Sequence, residues 1–166
     1  FNASGVIIQN VKGNGECFFR AVINGLRYNR DRINLRYCPD NIEPAVNLLK
    51  NLILNYIKFC LREVTNITNN LQCTSKLYTL IFNRFIDDNI VTSIQEFENL
   101  FVQEGYHGGE LEIEIISLIF GINIKVFDKN NRNFYSEQLS TSPINENRDT
   151  IYIVNTGGHW MSILPY

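Results

Sequence analysis

The 166-residue sequence predicts a mixed α/β (α+β) fold, with residues 1–166 forming one domain. Three observations predict it. Apolar residues recur at helical spacing in several segments between Phe18 and Ile119, as at Val46, Leu49, Ile53 and Ile57. Short β-branched and aromatic runs, most of them from Ile122 onward, are bounded by Gly, Asn and Asp clusters with turn chemistry. A content of 45% apolar and 19% charged residues is that of an ordinary globular protein, in a chain long enough to bury a sizeable core. The chain opens on Phe1 without Met and reads as a piece excised from a longer protein.

Val6-Ile7-Ile8 reads as a short strand and Lys12-Gly13-Asn14-Gly15 as a turn. Phe18, Phe19, Val22, Ile23 and Leu26 then follow a helical period, and Tyr28 to Arg32 is a polar exit. Pro39 and Pro44 bracket a loop that leads into a long core helix, from Ala45 to about Val64. After an Asn- and Thr-rich turn, a second helix is predicted from about Thr74 to Ile86. A third is predicted between Ser93 and Gln103, where Ser93 and Glu96 form a capping-box pattern. Gly108-Gly109 precedes a helix from Glu110 to Phe120, which Gly121 closes. Glu110, Glu112 and Glu114 cluster at its start and read as a solvated face matched to the helix dipole, with a role in binding substrate as the alternative. Ile122 to Phe127 is apolar enough for a central strand, and Asp128 to Asn131 turns into a strand from Asn133 to Leu139. Thr150 to Asn155, Thr156-Gly157-Gly158 and His159 to Leu164 read as a final hairpin.

The stretch with the most chemistry is Asn14-Gly15-Glu16-Cys17-Phe18-Phe19-Arg20-Ala21, which places Cys17 at a helix N-terminus. Unpaired N–H groups and the positive end of the helix dipole favour a thiolate there, which makes Cys17 a candidate nucleophile. The amides of Gly15, Glu16 and Cys17 can converge on an oxyanion. The competing reading is a cysteine that is only a small buried apolar residue. His159, at the mouth of the last hairpin, is the candidate general base. His107, in a glycine-rich loop, is the rival histidine.

These segments, in this order, resemble the ovarian-tumour (OTU) family of cysteine deubiquitinases. The resemblance rests on the Cys17 stretch, on Tyr106-His107-Gly108-Gly109-Glu110-Leu111 before a strand, and on His159-Trp160, so that it runs from Val6 to Leu164. It implies a papain-like OTU fold, with a small central, mostly antiparallel sheet flanked by helices. The implied activity is isopeptide hydrolysis at the C-terminus of ubiquitin, with Cys17 as nucleophile, His159 as base and Asn14 as the third catalytic residue. The implied partner is ubiquitin or polyubiquitin, bound by a monomer without cofactor or metal. Asn14 stands where the family usually has Asp, and it cannot carry charge. Met161 stands where many members have an Asp or Asn that orients the histidine, on the same strand face as His159. Asn155 and Asn10 are the alternatives for that task.

The net charge of −2 gives no electrostatic footprint for nucleic acid or an anionic membrane. No apolar run is long enough to span a bilayer and no signal peptide is visible. Cys17, Cys38, Cys60 and Cys73 contain no Cys-x-x-Cys pair, and with two distant histidines a zinc site is not expected. Their irregular spacing points instead to reduced cysteines and a cytoplasmic setting. The abundance of Asn and Ile fits an AT-rich genome, and the cytoplasm would be a host's if the source is an intracellular bacterium or a virus. Three other readings stay open: a papain-like protease or amidase on other substrates, an OTU-like module that binds ubiquitin with weak or no catalysis, and an interaction protein whose Cys17 is only core.

Overall fold

A computed structural model describes residues 6–9, 16–29, 41–61, 73–84, 93–103, 106, 108–129, 135–140, 147–156 and 159–165. In chain order the elements are β1 (Val6–Gln9), α1 (Cys17–Tyr28), α2 (Ile42–Cys60), α3 (Ser75–Phe82), α4 (Ile94–Phe101), α5 (Glu110–Phe120), β2 (Asn123–Lys129), β3 (Tyr135–Ser140), β4 (Thr150–Asn155) and β5 (Trp160–Pro165).

The strands form one five-stranded sheet in the order β1-β5-β4-β2-β3. The β1–β5, β4–β5 and β2–β3 pairs are antiparallel, while β2 and β4 run parallel at the centre, so the sheet is mostly antiparallel, as the family resemblance implies. Pleating divides the work of β4 and β5. Ile151, Ile153 and Trp160 join the main core with α1, α2 and α5. Val154 and Ile163 form a second small cluster with Phe127, against which Tyr152 and Met161 pack. Among the described residues no helix is long and apolar enough to cross a membrane.

Helix boundaries follow local chemistry. The hydroxyls of Thr74 and Ser93 accept the backbone N–H groups of Leu77 and Glu96, capping α3 and α4. Gly121, at φ 63°, ends α5 in the left-handed conformation that costs glycine least. Three predicted boundaries change. Pro44 lies inside the first turn of α2, where its missing N–H leaves no helical bond unmade, so α2 begins at Ile42; it ends at Cys60. The α3 helix keeps its α-helical form only to Phe82.

The expectation of reduced cysteines is corrected for one pair. Cys60, the last residue of α2, is disulfide-bonded to Cys73, just before the cap of α3, with Cα atoms 5.6 Å apart. The sequence separation of 13 hides this pairing, because it depends on the end of α2 and the start of α3 meeting in space. Cys38 lies outside the described residues.

Closing a loop of this length restricts the unfolded chain and is worth about 3 kcal/mol. Cys60→Ser/Cys73→Ser is therefore expected to unfold at lower urea than the parent, by about that amount. The parent treated with reductant should match the double variant. Coincident transitions of reduced, oxidised and mutated protein would mean that the bond is not formed in solution.

Candidate active site

Cys17 is the first residue of α1 and is 3% exposed. Glu16 occupies the N-cap position, and its carbonyl accepts the Arg20 N–H at 3.0 Å as the first helical bond. Its side chain does not cap the helix. The carboxylate turns instead to Lys50 on α2, whose Nζ lies 2.9 Å from Oε1. The N-cap side chain thus leaves the first-turn N–H groups to other acceptors, while Phe18, Phe19 and Val22 anchor the turn in the core.

His159 immediately precedes β5, and its main chain is fixed by the turn that closes the β4–β5 hairpin. The Thr156 N–H donates to the His159 carbonyl at 2.8 Å, and the Thr156 hydroxyl donates to the same oxygen. The next residue, Trp160, sets its ring edge-on to Phe18 at 5.2 Å between centroids. Further along, the buried Ser162 hydroxyl donates to the Ala21 carbonyl at 2.8 Å. These two contacts lay α1 along β5 with their starts at the same end. The neighbours of Cys17 and His159 therefore touch.

The structure treats the remaining candidates differently. Asn14, Gly15, Asn10 and His107 lie outside the described residues. Asn155 pairs in register with Trp160, on the sheet face turned to α1. Met161 lies opposite Val154 and packs half-buried on the second cluster, so an Asp or Asn at that position would be set among apolar side chains.

The glycine loop forms a third wall. Gly108 lies so close to α1 that a Cβ built on it would sit 2.1 Å from Cδ1 of Phe18. Tyr106 packs against Phe19, Phe97 and Phe101 and donates its hydroxyl to Glu112. Burial above all, and then the Glu112 charge, push the tyrosine hydroxyl upward in pKa, so it stays a donor. Glu112 is 0% exposed and also accepts the Gly109 N–H at 2.9 Å and the Arg84 guanidinium at 3.2 Å. The predicted solvated acidic face is thus corrected. Only Glu110 is exposed, while Glu114 is buried and paired with Lys76.

Sequence reasoning missed this buried charge. Lys50, Glu16 and Arg20 are all below a tenth exposed, and Arg20 also pairs with Glu43. The signal was present in α2, where Lys50 stands in the apolar stripe four residues after Val46 and three before Ile53.

Gly108→Ala should displace the Phe18 ring beside Cys17 and destabilise the fold by about 1–3 kcal/mol, the usual cost of overpacking. At Gly109 an added methyl would meet only the end of Arg84, at 4.0 Å, so Gly109→Ala is expected to cost less. Urea denaturation of both variants checks the order. Equal midpoints would remove the claim that the glycine loop is wedged against α1.

The sequence profile described as OTU-like cysteine protease matches residues 12–159. No curated protein sequence matches the chain. Among solved structures, the viral OTU domain protease from Farallon virus superposes with a TM-score of 0.64 at 19% identity, over 97% of this chain and 85% of that one. The Hazara virus OTU bound to ubiquitin gives 0.62 at 12% identity, over 100% and 86% of the two chains. An OTU deubiquitinase from Wolbachia pipientis wMel gives 0.60 at 14% identity, over 98% and 90%. With Cys17 opening α1, His159 directly before β5 and Gly108 against Phe18, the matched span takes in both candidate catalytic residues and the glycine loop, and the chain belongs to the OTU-like cysteine protease family.

Proposed function

We propose that this chain is a single catalytic domain, a thiol-dependent deubiquitinase that hydrolyses isopeptide bonds at the C-terminus of ubiquitin. The observation that carries the reading is the packing of α1 along β5, through Phe18 on Trp160 and Ser162 on Ala21, which sets the start of the cysteine helix beside the start of the histidine strand. The fold likeness to an OTU bound to ubiquitin supports the choice of partner.

In the proposed mechanism His159 takes the proton of the Cys17 thiol. The thiolate attacks the carbonyl carbon of the last ubiquitin glycine. Negative charge on the carbonyl oxygen falls at the N-terminus of α1, where the backbone N–H groups and the helix dipole stabilise it, with the Asn14 amide supporting that turn. Collapse of the tetrahedral species breaks the C–N bond, and the imidazolium gives its proton to the departing lysine amine. Water, deprotonated by His159, then hydrolyses the thioester. The neighbouring Trp160, only 8% exposed, supplies an apolar wall on one side of the site. The proposal has the domain acting as a monomer with no metal or cofactor; the cytoplasmic setting, a host's where the source is an intracellular bacterium or a virus, loses the support of reduced cysteines at Cys60 and Cys73 and rests on the likeness to viral and Wolbachia OTU domains.

One observation favours a second reading. Met161 packs on the Phe127–Val154–Ile163 cluster where many relatives place the residue that orients the histidine, and this suits a module that binds ubiquitin with little turnover.

A ubiquitin probe with an electrophilic C-terminus should label the parent once, and Cys17→Ala should abolish labelling. Label that persists would move the nucleophile to another cysteine, and a parent that binds ubiquitin but neither labels nor cleaves diubiquitin would favour the second reading. His159→Ala should lower kcat on diubiquitin by at least about a hundredfold with KM little changed, as loss of general acid–base catalysis does. A larger effect of His107→Ala would reverse the assignment of the base.

A further inference from the structure

We infer that Lys50 is a positioning residue, whose buried ammonium ties the turn bearing Cys17 to the glycine loop that borders it. The inference rests on the deubiquitinase reading above and concerns the same site.

Lys50 is 3% exposed and sits in the middle of α2, at a place in the apolar stripe where leucine or methionine would need no partner for a charge. Its ammonium has fixed partners. Nζ donates to Glu16 Oε1 at 2.9 Å and to the Gln103 carbonyl at 3.1 Å, and it lies 5.1 Å from the Phe19 ring centroid. A hydrophobic residue would fill that volume, but it would hold neither oxygen.

The two oxygens belong to the two segments that meet at Cys17. Glu16 directly precedes the cysteine and forms the N-cap of its helix. The Gln103 carbonyl, just past α4, also accepts the Tyr106 N–H at 3.2 Å. From Tyr106 the chain reaches Gly108, whose backbone is wedged against Phe18, the residue after Cys17. One ammonium thus connects the peptide before the cysteine with the wall that presses on the residue after it.

Charge points the same way. Glu16 places a buried carboxylate next in sequence to the nucleophile. Lys50 is its close partner, with the Arg20 guanidinium at 4.0 Å and itself paired to Glu43. Among the described residues, removing Lys50 leaves Glu16 with only the more distant Arg20 guanidinium, so the carboxylate has reason to leave the core and take the turn with it.

The test uses Lys50→Met, which keeps the stem volume over Phe19 and removes both bonds, and Lys50→Met/Glu16→Gln, which also removes the stranded charge. In both variants, with far-UV circular dichroism unchanged, kcat on diubiquitin should fall at least about tenfold with KM near the parent's, since positioning acts after binding. Hydrogen exchange should rise in peptides covering 16–20 and 103–109 together, with the α5 and β4 peptides unchanged. Parental kcat and parental exchange in a folded variant would overturn the inference, as would a uniform rise in exchange across all elements, which marks a merely structural role. If Lys50→Met does not fold, the neutral double variant decides alone. If the parent itself does not turn over diubiquitin, the deubiquitinase reading fails separately, and the paired change in exchange still decides whether Lys50 holds the two segments.

Discussion

The contact on which the rest of the site depends is the one between α1 and β5. A serine hydroxyl buried in a sheet needs a partner, and Ser162 finds it in the Ala21 carbonyl rather than in its own strand. That bond sets how far along β5 the helix sits, and the edge-on contact of Phe18 with Trp160 sets the end at which the two begin together. Slipping β5 by one residue would turn Ser162 away from α1 and point Met161 into the main core. The second cluster of Phe127, Val154 and Ile163 on the opposite face opposes that slip as well.

Around this contact the protein uses buried charge where most cores use hydrocarbon. Glu112 gathers Tyr106, Arg84 and the Gly109 N–H, while Glu16 gathers Lys50 with Arg20 nearby. Such groups contribute little net stability once desolvation is set against attraction, but they are directional. Leucine at position 112 would fill the space and leave the Gly109 amide and the tyrosine hydroxyl without an acceptor. Glu16 before α1 and Tyr106, Gly108 and Gly109 before α5 lie outside helix and strand. Side-chain carboxylates supply the fixed points that a helix or sheet would supply elsewhere.

Elements whose ends carry their own chemistry were legible in the sequence. The α5 helix lies where its glycines and apolar face predict, β4 has its predicted bounds, and Ser93 caps α4 as its side chain favours. Cys17 at the head of a helix and His159 at the head of a strand were legible for the same reason, since glycines and turn residues precede each of them in the chain. What escaped was decided between elements. Glu112 and Glu114 look solvated when only the helix dipole is considered, but both are buried and paired, Glu114 with Lys76 on α3 and Glu112 with Arg84 just past the end of α3. The Cys60–Cys73 bond, likewise, follows from where two helix ends meet and not from spacing. Lys50 was visible as a charge in an apolar stripe, but its hydrogen-bond partners lie just before α1 and beyond α4, and no local pattern names them.

The pleat of β5 also bears on how a histidine can be held without the usual neighbour. Along that strand Trp160 and Ser162 face α1, whereas Met161 and Ile163 face the second cluster. A thioether cannot fix an imidazole tautomer, so orientation of His159 has to come from elsewhere than position 161. Two features already restrict the residue. Its carbonyl is held by both the N–H and the hydroxyl of Thr156, and the residue after it is locked by the Trp160 ring against Phe18. Together they fix the backbone and narrow the rotamers open to the side chain. Main-chain anchoring positions an imidazole without stabilising its charged form, which a carboxylate would do. In the proposed mechanism, charge stabilisation would then fall more heavily on the oxyanion end of the site, at the N-terminus of α1, where Glu16 and Lys50 fix the backbone.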